Sequence, residues 1–203
     1  MIINHDEPRW ALYPMWIIQS FFCIPIALLL DFIILTIIIL IVGDYVYVNG
    51  VRHITEDYLY MYFFIPTISL LTGAFQSALL RRYLPGVGGW VLATTGGWLL
   101  GILLVLAPDW LNWRNGSLNL DLAFLSMGLA IGIAQWLLLR RRLSHAGWWI
   151  AANVAGWGLL SVTTGNTLDQ FGLLALGLLP ASVTAAALAL LMKQVIPIQP
   201  NGV

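Results

Sequence analysis

The chain has 203 residues, 60% of them hydrophobic and only 9% charged, with nine basic and nine acidic side chains that cancel to no net charge. Mean hydropathy is +0.88. This composition lies outside the range of water-soluble domains and offers no basic surface for nucleic acid, so it predicts an integral membrane protein.

In chain order, the opening MIINHDEPRWALYPM carries two acids and a tryptophan ahead of the first apolar run, at about 16–42. That run is too long for the core of a cleavable signal and is read as a retained first helix. Further apolar runs follow at about 58–80, 87–106, 119–139, 147–165 and 171–192. Each is close to the roughly 20 residues a helix needs to cross the hydrocarbon. The expectation is an all-α, multi-pass fold of six transmembrane helices forming a single membrane domain. The longest polar stretch, about 43–57, leaves no room for a soluble domain, and the lone Cys23 allows no internal disulfide.

Charge sorts with this alternation. Arg9, Arg81, Arg82, Arg140, Arg141, Arg142 and Lys193 collect on one face; Arg52 and Arg114 fall on the other, with Asp44, Glu56, Asp57, Asp109, Asp121 and Asp169. The positive-inside bias then places both termini in the cytoplasm. The arginine clusters also suit anionic lipid headgroups or an acidic partner subunit, although setting orientation is reason enough for them.

Residues 73–101 align without a gap to residues 132–160, with 13 of the 29 pairs identical. Each copy is an apolar run ending in arginines, a short link, and a second apolar run with two tryptophans, which predicts duplicated helical hairpins. The last run, ending ALALLMK, matches the first half of a copy if Leu190, Leu191 and Lys193 stand for the two leucines and the arginines. A circularly permuted array of three hairpins follows from that match. Small residues four apart, as in Ala93/Gly97/Gly101 and Gly177/Ala181/Ala185, predict close helix contacts. Trp10, Trp16, Trp90, Trp110, Trp113, Trp148 and Trp149 suit the membrane interface. Trp98 and Trp157 fall deeper, where they either pack across the hairpin interface or flank a flat buried ligand.

Among polar groups within apolar runs, Asp31 sits mid-way along the first run without a basic residue nearby in sequence, and it is a candidate proton or cation site. Gln76 and Gln135 occupy equivalent places just inside the arginine clusters, and Asn153 faces the same way as Trp149 and Trp157. These three either stitch helices together or bind a polar ligand head. No HExxH, GxSxG, phosphate-cradling glycine loop or Cys/His cluster is present. His5, His53 and His145 are far apart, so a paired-histidine haem is not expected; His145 alone is a candidate axial ligand for a magnesium porphyrin.

The block Gln-Trp-Leu-Leu-Leu-Arg-Arg at 135–141, with Gly-Trp-Trp at 147–149 and Gly-Trp at 156–157, resembles a loosely defined family of uncharacterised bacterial multi-pass proteins with repeated hairpins. Ser77 departs from it at the place of Trp136. The resemblance implies fold and hairpin organisation, in the style of small accessory subunits of bacterial respiratory or photosynthetic membranes, and no catalytic residues. The expected role is therefore a non-catalytic subunit packed among membrane lipids and other membrane-protein subunits in a bacterial inner or photosynthetic membrane. Carotenoid, a chlorophyll or bacteriochlorophyll pigment, or quinone would lie between its aromatic helices. The alternative is a small proton-coupled transporter using Asp31; a lipid-acting enzyme with Asp31, Asp121 and the arginine links is the weakest of the three.

Overall fold

A computed structural model describes residues 11–48, 50–84, 86–110, 120–164 and 170–193. The helices are α1 (Leu12–Val42), α2 (Thr55–Leu80), α3 (Trp90–Trp110), α4 (Leu120–Leu139), α5 (Trp148–Thr164) and α6 (Gln170–Met192). Each lies within a few residues of an expected apolar run, because continuous apolar sequence with strong helix formers satisfies every backbone group internally. Among the described residues, four helical segments are long and apolar enough to cross a membrane: Leu12–Val42, Tyr62–Leu80, Leu122–Leu139 and Gly172–Met192. The chain is a membrane protein by that measure. Residues 1–10, and with them His5, Arg9 and Trp10, lie outside the described residues, as do Trp113, Arg114 and Asp169. The side chains of Asp57, Asp109, Trp110 and Asp121 also lie outside them.

Between α1 and α2 the stretch expected to be a polar link holds a short antiparallel hairpin, β1 (Tyr45–Val48) and β2 (Val51–Ile54), with Tyr45 opposite Ile54 and Val48 opposite Val51. The sequence YVYVNGVRHI carries the signal, since Asn-Gly between β-branched and aromatic alternation favours a two-residue turn. Arg52 lies 3.5 Å over the Tyr45 ring. Thr55 closes the base by donating its hydroxyl to Gly43 O at 2.7 Å, while its N–H bonds Asp44 O at 2.9 Å.

The six helices form a closed ring in which each packs on its chain neighbours and α6 returns to α1. Close approach is set by small residues. A β-carbon on Gly97 would stand 2.6 Å from Ile131 Cα, and one on Gly156 would stand 2.8 Å from Pro180 Cα. Helices in contact at that range gain dispersion contacts that lipid cannot match. Two apolar layers fill the ring. One, at the end bearing the arginine links, contains Trp16, Leu80, Trp90, Leu139, Trp149 and Leu188; the other contains Ile24, Ile68, Trp98, Ile131, Trp157 and Leu160.

Gly156→Leu is expected to destabilise the fold by about 1–3 kcal/mol, because the added side chain meets backbone that cannot yield. Gly96→Leu, at a site with nothing within 4 Å, should be tolerated. Thermal unfolding of both variants in mild detergent checks the contrast.

Candidate functional site

Between the two apolar layers lies a polar one, built the same way more than once around the ring. Trp90 Nε1 donates to Gln76 Oε1 at 3.1 Å, and Trp149 Nε1 donates to Gln135 Oε1 at 2.9 Å. Trp16 Nε1 donates to Thr184 Oγ1 at 3.1 Å, which makes Thr184 the counterpart of the two glutamines. Each carboxamide then reaches the next hairpin: Gln76 Nε2 donates to Ser20 Oγ at 3.3 Å, and Gln135 Nε2 to Thr94 Oγ1 at 2.9 Å. Ser20, Thr94 and Asn153 each stand four residues after their tryptophan, one helical turn along the same face. Thr94 and Asn153 also bond the backbone oxygen of that tryptophan, each at 2.9 Å.

The three indoles meet edge to face in a triangle, with ring centroids 6.1, 5.9 and 5.9 Å apart. Trp90 and Trp149 are 0% exposed and Trp16 is 1% exposed, so these three point inward rather than toward lipid headgroups and become the centre of the ring. The reason is that a buried indole N–H needs an acceptor, and Gln76, Gln135 and Thr184 supply one. Trp148, by contrast, is 68% exposed, as an interfacial tryptophan should be. The expected match of the last run also shifts by three residues. With Thr184 in the place of Gln76 and Gln135, Leu188 rather than Leu191 stands with Leu80 and Leu139, and all three leucines are at most 1% exposed.

A cavity of about 60 Å³ lies on the axis, lined by the polar layer together with Thr72, Trp98 and Trp157. It has room for a few water molecules, and its walls offer the polar partners water needs. The rings of Trp98 and Trp157 meet at 5.0 Å and 81°, so each fills the space beside the other. Pockets that hold drug-sized ligands run to roughly 300–1,000 Å³, well above this volume.

Asp31 stands apart from this layer. It is 1% exposed, on the α1 face toward α2, and neither carboxyl oxygen has a hydrogen-bond partner; Thr67 lies alongside without bonding geometry. It falls 15 residues beyond Trp16, about 22 Å along the helix, and α1 continues beside α2 for 11 residues past it.

The arginine links are exposed. Arg140 lies 5.1 Å over the Trp136 ring, and Arg142 covers Gly86 from the neighbouring link. Arg81, Arg82 and Arg141 share that exposure, as does His145, whose φ of +58° is the one positive value among described non-glycine residues. Among the described residues no three His, Cys, Asp or Glu side chains come together. No protein-family description, curated protein or solved structure matches the chain.

Gln135→Leu removes an acceptor and a donor at once and leaves the Trp149 N–H orphaned. A loss of about 1–2 kcal/mol is expected, between the averages for interhelical bonds in lipid and for orphaned buried donors. Trp148→Phe should have little effect. Thermal unfolding followed by tryptophan fluorescence reads both.

Proposed function

We propose that all six helices span a bacterial inner or photosynthetic membrane, with the arginine links and both termini cytoplasmic, and that the chain is a non-catalytic accessory subunit of a larger membrane complex. Orientation is supported by the sorting of seven of the nine basic residues to one end. The role is supported by one observation above others, the apolar outward face of the last 11 residues of α1, 32–42, which run beside α2 to the β1–β2 hairpin.

The outward side chains of that stretch are apolar and bare: Phe32 is 68% exposed, Leu40 80% and Ile41 78%. Burying a single such side chain contributes about 1.5–3 kcal/mol, so a neighbouring apolar helix has several contacts to gain there. The partner this face fits is a transmembrane helix of another subunit, standing against α1. Carotenoid, chlorophyll or bacteriochlorophyll, or quinone would then lie between this chain and that partner, because the internal cavity of about 60 Å³ is too small for any of them.

Substituting Leu40 and Ile41 together by Asn is expected to leave insertion and helix content unchanged but to shift the chain from a high-mass assembly to the monomer on a native gel of mild-detergent extract. A wild-type chain that already runs alone, with no co-purifying polypeptide, overturns the proposal.

The unpartnered carboxyl of Asp31 favours the second reading, a small proton-coupled carrier. On that reading Asp31→Asn abolishes solute flux in reconstituted vesicles while expression is preserved. On the accessory reading the same variant leaves membrane transport unaltered.

A further inference from the structure

An open groove of about 680 Å³ lies between α5 and α6, at the end that bears the arginine links. Its walls are made by Ala151, Ala155, Ala186 and Ala187, and its mouth by His145, Trp148 and Lys193. The α3–α4 interface is its counterpart, because Trp90 and Gln135 there hold the places of Trp149 and Thr184. At α3–α4 the same space is filled. Leu138 packs over Gly89, with Cδ2 at 3.5 Å from where a β-carbon would stand, and the Arg142 guanidinium lies over Gly86 at 2.6 Å from such a carbon. At α5–α6 Ala187 stands in the place of Leu138 and Leu191 in the place of Arg142. Both fillers are missing, and the groove opens.

The mouth differs too. Gly86 takes a φ of +83° in its link, a conformation glycine adopts freely. His145, in the equivalent place, holds +58°, where a side chain costs energy. Its imidazole and the Lys193 ammonium make no hydrogen bond or ion pair with the described residues, so their donors are available to a ligand. Donors at the rim above an apolar trough match an anionic amphiphile. We infer that this groove binds an anionic phospholipid, with the phosphate between His145 and Lys193, Trp148 at the level of the esters, and one acyl chain between the alanines of α5 and α6. Its volume lies within the range of pockets that enclose small ligands. The inference rests on the reading that the arginine end lies at a membrane surface.

The test is native mass spectrometry of the full chain extracted in mild detergent and offered dioleoyl phosphatidylglycerol or dioleoyl phosphatidylcholine. Wild type should prefer the anionic lipid by about five-fold, the effect of one lysine ammonium near an anionic surface. In His145→Gly with Lys193→Gln, which also relaxes the link, the preference should vanish. In Ala187→Leu, which restores the α3–α4 filling, adducts of both lipids should fall. Preference unchanged in the charge variant, or lost instead in Arg81→Gln, overturns the groove assignment while leaving the membrane reading intact. Recovery of the wild-type chain in the soluble fraction overturns both.

Discussion

The fold depends on the hydrogen bond from a buried indole to a side-chain oxygen on a neighbouring helix. Inside lipid there is no water to take the N–H, and lipid tails are as apolar as leucine, so neither solvation nor the hydrophobic effect decides which helices meet. Packing of small residues brings backbones together, but rows of glycine and alanine tolerate many registers. The bonds of Trp16, Trp90 and Trp149 to Thr184, Gln76 and Gln135 select one. A slip by one turn on any of these helices leaves an indole and its acceptor both unpaired. Because each carboxamide of the pair Gln76 and Gln135 passes its own N–H to the next hairpin, the penalty for slipping is shared around the ring.

Helix positions were largely legible because a membrane helix must be apolar along its whole length, and that leaves a clear imprint in sequence. The duplication also marked Gln76 and Gln135 as equivalent. Trp90 and Trp149 were assigned to the headgroup level because arginines lie nearby, and that rule ignores which way a side chain points around the helix. The informative signal was the constant 14-residue interval between each glutamine and its tryptophan. Thr184 left no such mark, since it shares chemistry but not identity with glutamine, and the last run was aligned three residues out of register on its more visible leucines. The β1–β2 hairpin is hidden for a different reason. Its tyrosines, Asn49, Arg52 and His53 lower the hydropathy of the segment, so beside the spanning helices it stands out only as polar.

The hairpins share a centre and differ at their edges, where function is to be sought. Interior positions are tied by mutual contact: changing one tryptophan of the triangle disturbs two others at about 6 Å. Outward positions have no such constraint. One interface carries Leu138 and Arg142 where another carries Ala187 and Leu191, and α1 turns apolar side chains such as Leu40 and Ile41 outward. The same logic separates Asp31 from the polar layer. A carboxyl on the axis would have to find a partner among the carboxamides and hydroxyls; Asp31 lies instead between α1 and α2, beside Thr67.

The ring is closed by its sequence-distant pair. Five of the six contacts between neighbouring helices join elements consecutive in the chain, and the sixth joins α6 to α1. That contact is pinned by Trp16 and Thr184, 168 residues apart. The pairs Gln76–Trp90 and Gln135–Trp149 each join helices consecutive in the chain, whereas the α6–α1 pair exists only once the last helix is in place. Until then Trp16 lacks its acceptor, although Ser20 can already accept from the Gln76 carboxamide on α2. The triangle of indoles is therefore completed by the α6–α1 contact, and it converts a row of adjacent hairpins into a closed body. Thr184 is suited to that position because its hydroxyl also bonds Pro180 O at 2.7 Å, holding it in one orientation. A short side chain fixed to its own helix offers the arriving indole an acceptor that needs no ordering, where a glutamine would first have to lose rotamer freedom.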